Sequence, residues 1–359
     1  MTELSLHRYY QDLGGQFGEV NGMEVVEHFG DPLAEYAALR KAAGVLDLSF
    51  RGRLCLTGAD RTRFLHGQVT NNVKDLAVGQ GCYAALTTAK GKMQSDLNIY
   101  CLRDELLLDF EPGLTLEVAQ RLDKYIIADD VQVVDMSPHY GLLSVQGPEA
   151  GTIVLNAGLN LKLPSEAMSF THGTDPELGE IYCMNQPRGP SPGFDLFVLI
   201  PGLKTAAANL LSAGAQPAGW QVLEILRIES GIPRFGVDMD ETNLPPETGI
   251  ENRAVSYTKG CYIGQEVIAR IRTYGQVAKS LRTLRLADDL KQLPNKGDKL
   301  FRNNKEAGFI TSAVASPRFN ANLALGYVRR ESNLPGTELI LHSAAGESPA
   351  TIMELPNPR

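Results

Sequence analysis

Three short stretches of the chain bring together residue types that can do chemistry. The densest is Lys259-Gly260-Cys261-Tyr262-Ile263-Gly264-Gln265-Glu266-Val267-Ile268-Ala269-Arg270. Its glycines let the backbone take positive φ and approach a ligand closely. A thiol near an ammonium group has more of the thiolate form, which is the nucleophile and the metal ligand. The same residues also fit a Gly-rich turn leading into a helix from Gln265, with Cys261 as a small buried hydrophobe. The second stretch, Ala89-Lys90-Gly91-Lys92-Met93-Gln94-Ser95-Asp96-Leu97, puts Asp96 at the start of a returning strand. A carboxylate there can accept hydrogen bonds from an NH-rich heterocycle or help move a proton, or it can simply face solvent beside the turn. In the third, Leu226 to Asp238, Arg227 sits among apolar residues at a helix end before a Gly-Pro break. Its fork of donors suits a carboxylate or carbonyl of a ligand, or a structural salt bridge.

The surrounding elements must hold these groups. Apolar spacing predicts helices over Pro32–Ala43, Arg61–Gly67, Leu114–Tyr125, Leu203–Ala213 and Gln221–Ile228. Strands are expected at Leu54–Thr57, Gly141–Val145 and Phe194–Ile200, with a hairpin formed by Tyr83–Thr88 and Ser95–Cys101 around Ala89–Lys92. Residues Gly173 to Pro192, rich in Pro, Gly and polar side chains, read as an irregular surface loop. Short strands alternating with helices and tight hairpins indicate α+β layers rather than a doubly wound parallel sheet. From Gln276 onward helical periodicity fades. Short strands at Leu281–Leu286, Gly308–Ala315, Leu323–Arg329 and Glu338–His342 predict a small antiparallel barrel or sandwich.

Composition sets the outer limits. The chain has 359 residues, 43% of them apolar and 21% charged, which suits two or three globular domains. A net charge of −8 disfavours nonspecific binding to nucleic acid or anionic membrane. The five cysteines (Cys55, Cys82, Cys101, Cys183 and Cys261) are odd in number and widely spaced, so they form neither a disulfide framework nor a metal-ligand pattern. Met1 to Val20 has no apolar core of a signal peptide, and no stretch approaches the ~20 apolar residues of a membrane span. A cytoplasmic location is expected. Walker and GxGxxG signatures are missing, which disfavours P-loop enzymes and common dinucleotide folds.

The three stretches occur in this order over nearly the whole chain, and the chain resembles the folate-binding superfamily of the glycine-cleavage T-protein, an aminomethyltransferase. Lys259 to Glu266 resembles the K-G-C-[FY]-x-G-Q-E signature of its YgfZ-type branch. The Gly91-to-Leu97 hairpin, Gln146-Gly147-Pro148, Gly193-Phe194-Asp195, Leu226-to-Gly231 and Leu244-to-Gly249 are similar to the wider superfamily. The resemblance implies a three-domain ring, or cloverleaf. Residues 1–50 and 141–245 would form one α+β domain, 51–140 and 246–275 a second carrying the KGCYIGQE segment, and 276–359 a C-terminal β-barrel. It implies tetrahydrofolate as cofactor, held near Tyr83, Asp96, Asp195 and Arg227, with Asp96 by the nitrogens that carry the one-carbon unit. It further implies a role in assembly or repair of iron–sulfur clusters, with Cys261 as the functional thiol, Lys259 beside it, and iron–sulfur enzymes or assembly proteins as partners besides folate. The alternative is a folate-dependent one-carbon (aminomethyl) transferase acting on a small amine. Modification of tRNA is a third reading, which the net charge does not favour. Two departures stand out: Asp195 is one methylene shorter than the aminomethyltransferase glutamate, and Arg188-Gly189-Pro190-Ser191-Pro192 replaces the Gly-Tyr-Thr-Gly-Glu run.

Overall fold

Continuous apolar runs such as Leu106-Leu107-Leu108 make strands covered on both faces, and alternating runs make strands covered on one. Helices and turns between them carry the punctuation that such sheets need. The computed structural model of the chain describes residues 1–354. These divide into two compact units: Met1–Ala84 with Asp96–Leu223, and Ala85–Ser95 with the described residues from Glu224 onward.

The first unit is built on antiparallel sheets. One has six strands in the order Phe170–Asp175, Gly179–Asn185, Gly193–Leu199, Tyr140–Gln146, Gly44–Asp47 and Gln216–Pro217, where only the last pairing is parallel. A second has five, in the order Gly81–Thr87, Met93–Cys101, Leu106–Phe110, Gly52–Thr57 and Gln132–Asp135, its first two strands running on into residues 85–95 of the second unit, and Gln16–Val20 and Met23–His28 make a two-stranded sheet. Helices cover the sheets through small and branched side chains. Ile200–Ser212 buries Leu203, Ala206, Ala207 and Leu210 at helical spacing. Pro32–Lys41 starts at a proline, and the preceding Asp31 side chain accepts the Leu33 N–H at 2.9 Å, which fixes where it begins. The expected irregular loop at Gly173–Pro192 is instead largely a hairpin of Phe170–Asp175 and Gly179–Asn185. The Asp175 side chain accepts the N–H groups of Glu177 and Leu178, closing the turn, and Cys183 and Met184 bury their side chains. Its Pro and Gly residues mark the turn and the exit of the hairpin, and strand residues lie between them.

The second unit ends in a closed six-stranded barrel, which settles the choice between barrel and sandwich. Its strand order is Lys279–Leu286, Ala321–Arg329, Lys305–Ser316, Lys299–Arg302, Glu338–Ser343 and Gly346–Ile352. Leu284, Leu300, Ile310, Val328, Leu341 and Ile352 fill the interior. A second apolar cluster joins Ile228 to Leu281, Leu323, Leu325 and Tyr327, so the helix Trp220–Glu229 has its last turn packed on this unit's own barrel strands. The fold is therefore α+β with antiparallel sheets and a C-terminal barrel. No helix among the described residues is long and apolar enough to cross a membrane.

Candidate active site

The five-stranded sheet carries a charged patch where apolar residues would be expected. Leu106–Phe110 is buried at all five positions, yet it contains Asp109. Antiparallel register explains which groups Asp109 meets. Asn98 lies opposite Asp109 on one side and Arg53 on the other. Side chains opposed in a ladder stand about 5 Å apart at Cβ, and here Asn98 Nδ2 donates to Asp109 Oδ2 at 2.9 Å. Arg51, two residues before Arg53, supplies the counter-charge. Its Nε and Nη2 donate to the two Asp109 oxygens at 2.9 and 3.1 Å, and Nη1 donates to Glu111 Oε1 at 2.5 Å. Arg51 is 6% exposed, Asp109 2% and Glu111 8%. Burial alone would raise the Asp109 carboxyl, but Arg51 and Arg188 outweigh it and hold the group below the usual carboxylate range.

Asp96 stands beside this patch on the strand Met93–Cys101. The Tyr83 hydroxyl, from the neighbouring strand, donates to Asp96 Oδ2 at 2.7 Å. Burial, reinforced by the charge of Glu111, pushes the Asp96 carboxyl up to about 6, against the opposite pull of Tyr83 and Arg51. A carboxyl titrating there can both hold and release a proton close to neutral pH, which is what general acid–base work requires.

Asp195 lies on the six-stranded sheet of the same unit, opposite Ser144. Its Oδ1 accepts the Ser144 hydroxyl at 2.6 Å and Arg188 Nε at 3.3 Å, and its Oδ2 accepts Arg188 Nη2 at 2.5 Å. Arg188 is held in turn by its backbone N–H, which donates to Gln146 Oε1 at 2.9 Å. The backbone must come close at this point: a Cβ on Gly193 would stand 2.0 Å from Gln146 Oε1. Arg188 Nη2 also lies 4.0 Å from Asp109 Oδ2. A single line of alternating charge thus runs Glu111, Arg51, Asp109, Arg188, Asp195. Sequence reasoning named only its last member as a site residue, with Arg188 noted as part of a divergent loop. The visible signal was an acid inside an apolar strand, with two arginines at alternate positions on the next one.

The other expected site residues belong to the second unit. Arg227 is only 4% exposed and is engaged there by acids. Nε and Nη2 donate to the two Glu224 oxygens at 2.9 and 2.7 Å, and Nη1 donates to Asp238 Oδ2 at 2.7 Å. Asp238 is itself fixed by the Ser312 hydroxyl at 2.7 Å and the Arg234 N–H at 3.1 Å. Of the two options for Arg227, the salt bridge within its own unit is present.

The Lys259–Arg270 stretch makes the turn and helix that its glycines suggest. The helix is Gln265–Tyr274, and Gly264 before it has φ +89°. A Cβ on Gly264 would stand 2.6 Å from the Thr88 carbonyl oxygen, so both backbone conformation and space demand glycine. The hairpin tip Ala85–Ser95 docks here. Thr87 Oγ1 donates to the Ile263 carbonyl at 2.6 Å, and the Met93 N–H donates to the Asn243 carbonyl at 3.0 Å. Cys261 is exposed rather than a buried hydrophobe. Lys259 is buried, with its ammonium 4.9 Å from the centre of the Tyr262 ring. Burial raises the thiols of Cys55, Cys101 and Cys183, the last to about 12, so none of these three is a good nucleophile.

Antiparallel α+β sheets, a carboxyl with a tyrosine partner, and a terminal six-stranded barrel define the architectural class. The chain belongs to the glycine cleavage T-protein family: the GCVT N-terminal domain matches residues 6–259 and the glycine cleavage T-protein C-terminal barrel domain matches residues 279–357. It is similar to an aminomethyltransferase of Halalkalibacterium halodurans, 27% identical over 365 residues, covering 99% of this chain and 98% of the relative. An aminomethyltransferase of Thermosipho melanesiensis is 28% identical over 333 residues, covering 92% and 90%. A chloroplastic protein of Arabidopsis thaliana described as a putative transferase is 28% identical over 337 residues, covering 91% and 74%. Among solved structures, the glycine cleavage system aminomethyltransferase T from Bartonella henselae superposes with a TM-score of 0.89 at 22% identity, covering 99% and 97% of the two chains, which establishes the fold.

Proposed function

We propose that the protein is a folate-dependent one-carbon transferase acting on a small amine, with Asp96 as its acid–base residue. The observation that carries this reading is the Tyr83–Asp96 pair: a half-buried carboxyl pushed up to about 6 and fixed by a hydroxyl at 2.7 Å. Membership of the T-protein family and relatives named aminomethyltransferase support it. The pair suits a nitrogen-rich heterocycle, because a carboxyl and a phenol together offer the acceptors and donors that ring N–H groups and ring nitrogens need. Tyr83 and Asp96 would hold tetrahydrofolate, which when bound supplies the nitrogens that accept a one-carbon unit. Asp195 and Arg227 fit direct ligand contact less well, since Arg188, Ser144, Glu224 and Asp238 already engage them. In this reading Asp195 supports the site from within its own unit. Tyr83 orients Asp96 by its hydrogen bond, and Asp96 takes up or releases a proton at its carboxyl as the amine reacts.

The test is incubation of purified protein with tetrahydrofolate and small methylated amines such as dimethylglycine. Turnover that vanishes in Asp96→Asn supports the transferase, and turnover unchanged in that variant refutes the role of Asp96.

One observation favours the second reading, support of iron–sulfur cluster assembly or repair in a YgfZ-type protein. Cys261, in the KGCYIGQE segment, is the exposed one of the five cysteines. Soft thiolate ligands suit iron–sulfur centres, and a single thiol needs further ligands from a partner. Five thiols without a disulfide also suit a reducing, cytoplasmic setting. On this reading Cys261→Ala keeps the fold and folate binding but loses rescue of a cluster-enzyme defect, and full rescue by that variant removes Cys261 from the mechanism.

A further inference from the structure

The five-stranded sheet carries two carboxylates on neighbouring chains. The paired register ends with Asn98 opposite Asp109, and Asp96 and Glu111 are the next residues of the two chains on that face. That side chains opposed on this face do meet is seen one pair earlier, where Asn98 donates to Asp109. On the other side Gly52 lies opposite Phe110, which brings Arg51 opposite Glu111. Glu111 therefore stands between an acid and a base.

Its two oxygens are treated differently. Oε1 accepts Arg51 Nη1 at 2.5 Å, whereas Oε2 is buried and has no hydrogen-bond partner among the described residues. A buried anionic oxygen without a donor is costly, and the protonated carboxyl of a neighbour is the donor that would satisfy it. The Glu111 charge works against the ionised form of Asp96. The Arg51 guanidinium holds Glu111 Oε1 in place.

We propose that Asp96 carries a proton that it shares with Glu111 Oε2, so that Glu111 is the positioning residue for the Asp96 proton. The charged and titratable groups facing Asp96 in its unit include Tyr83, Glu111, Arg51 and, one row behind, Asp109. Tyr83 and Arg51 favour the ionised form of Asp96. Arg51, however, divides its donors between Asp109 and Glu111, and burial together with the Glu111 charge prevails, leaving Asp96 at about 6. The arrangement keeps a transferable proton at Asp96 near neutral pH. This rests on the proposed transferase only for the use made of that proton, since its presence is measurable without substrate.

The experiment is carboxyl carbon NMR on the full chain without ligand, with Asp and Glu labelled at the side-chain carboxyl and resonances assigned by Asp96→Asn and Glu111→Gln. In the wild type the Asp96 signal should titrate near pH 6, and the Glu111 signal should show a small reciprocal inflection at the same pH. In Glu111→Gln the Asp96 midpoint should fall by about one pH unit. Glu111→Asp, which keeps the charge, should hold the midpoint above the usual carboxylate range. An Asp96 midpoint near 4 in the wild type, a missing inflection at Glu111, or an unchanged midpoint in Glu111→Gln would each overturn the proposal. Where Glu111→Gln does not fold, Glu111→Asp assigns the Glu111 signal, and the wild-type Asp96 midpoint and Glu111 inflection decide the matter. An inactive transferase assay with the expected titrations would refute the function and leave the shared proton standing.

Discussion

Replacing Asp96 by asparagine should make the protein more stable, but only above a defined pH. The folded chain holds the Asp96 carboxyl at about 6, whereas an unfolded chain holds an aspartate at about 3.9. The raised value means that the proton is bound more tightly in the fold. The stability it lends is complete below about pH 4 and is lost as pH rises through about 6. Asparagine mimics the neutral form at every pH and can still accept the Tyr83 hydroxyl through its carbonyl oxygen. Wild type and variant should therefore match at low pH and diverge between about pH 4 and 6. About two pH units at ~1.4 kcal/mol each set the plateau at roughly 2–3 kcal/mol in favour of the variant. Urea unfolding at half-unit pH steps gives the difference curve. A difference that stays flat across the whole range would refute the burial argument, and so would a variant less stable than wild type at pH 8.

Other substitutions test separate parts of the account. Arg51→Ala leaves Asp109 and Glu111 buried without their counter-charge, and a loss of about 3–5 kcal/mol in urea unfolding is expected. Arg63→Ala, which breaks exposed pairs with Asp60 and Asp129, should leave the urea midpoint unchanged and serves as its control. Gly264→Ala sets a Cβ against the Thr88 carbonyl at a φ of +89°, and about 1–3 kcal/mol should be lost by the same assay. An Arg51→Ala loss below about 1 kcal/mol would remove the charge line from the fold's support.

The elements were legible in the sequence where periodicity and punctuation agreed. Ile200–Ser212 and Trp220–Glu229 follow from helical spacing, and the hairpin around Gly91 follows from its turn composition. The region after Gln276 read as short strands, although Lys299–Arg302 and Gly346–Ile352 passed unnoticed, the one being only four residues and the other opening on a turn glycine. Gly173–Pro192 misled because turn residues at its ends outweighed the strand residues between them. The helix start at Gln265 was visible from two glycines, and the exposure of Cys261 was not, because burial of a lone cysteine has no local signature. Arg51, Asp109, Glu111 and Arg188 were missed for a similar reason. Their meaning lies in strand register, which places residues distant in sequence, such as 96 and 111 or 51 and 109, opposite or diagonal to one another.

The proton chemistry assigned to the Tyr83–Asp96 pair is tested most directly by single-turnover transfer of a one-carbon unit from a small amine to tetrahydrofolate, with wild type and Asp96→Asn side by side. The account predicts transfer by the wild type with a pH dependence centred near 6, and a loss of at least about a hundredfold in the variant. Equal transfer by both proteins would contradict it.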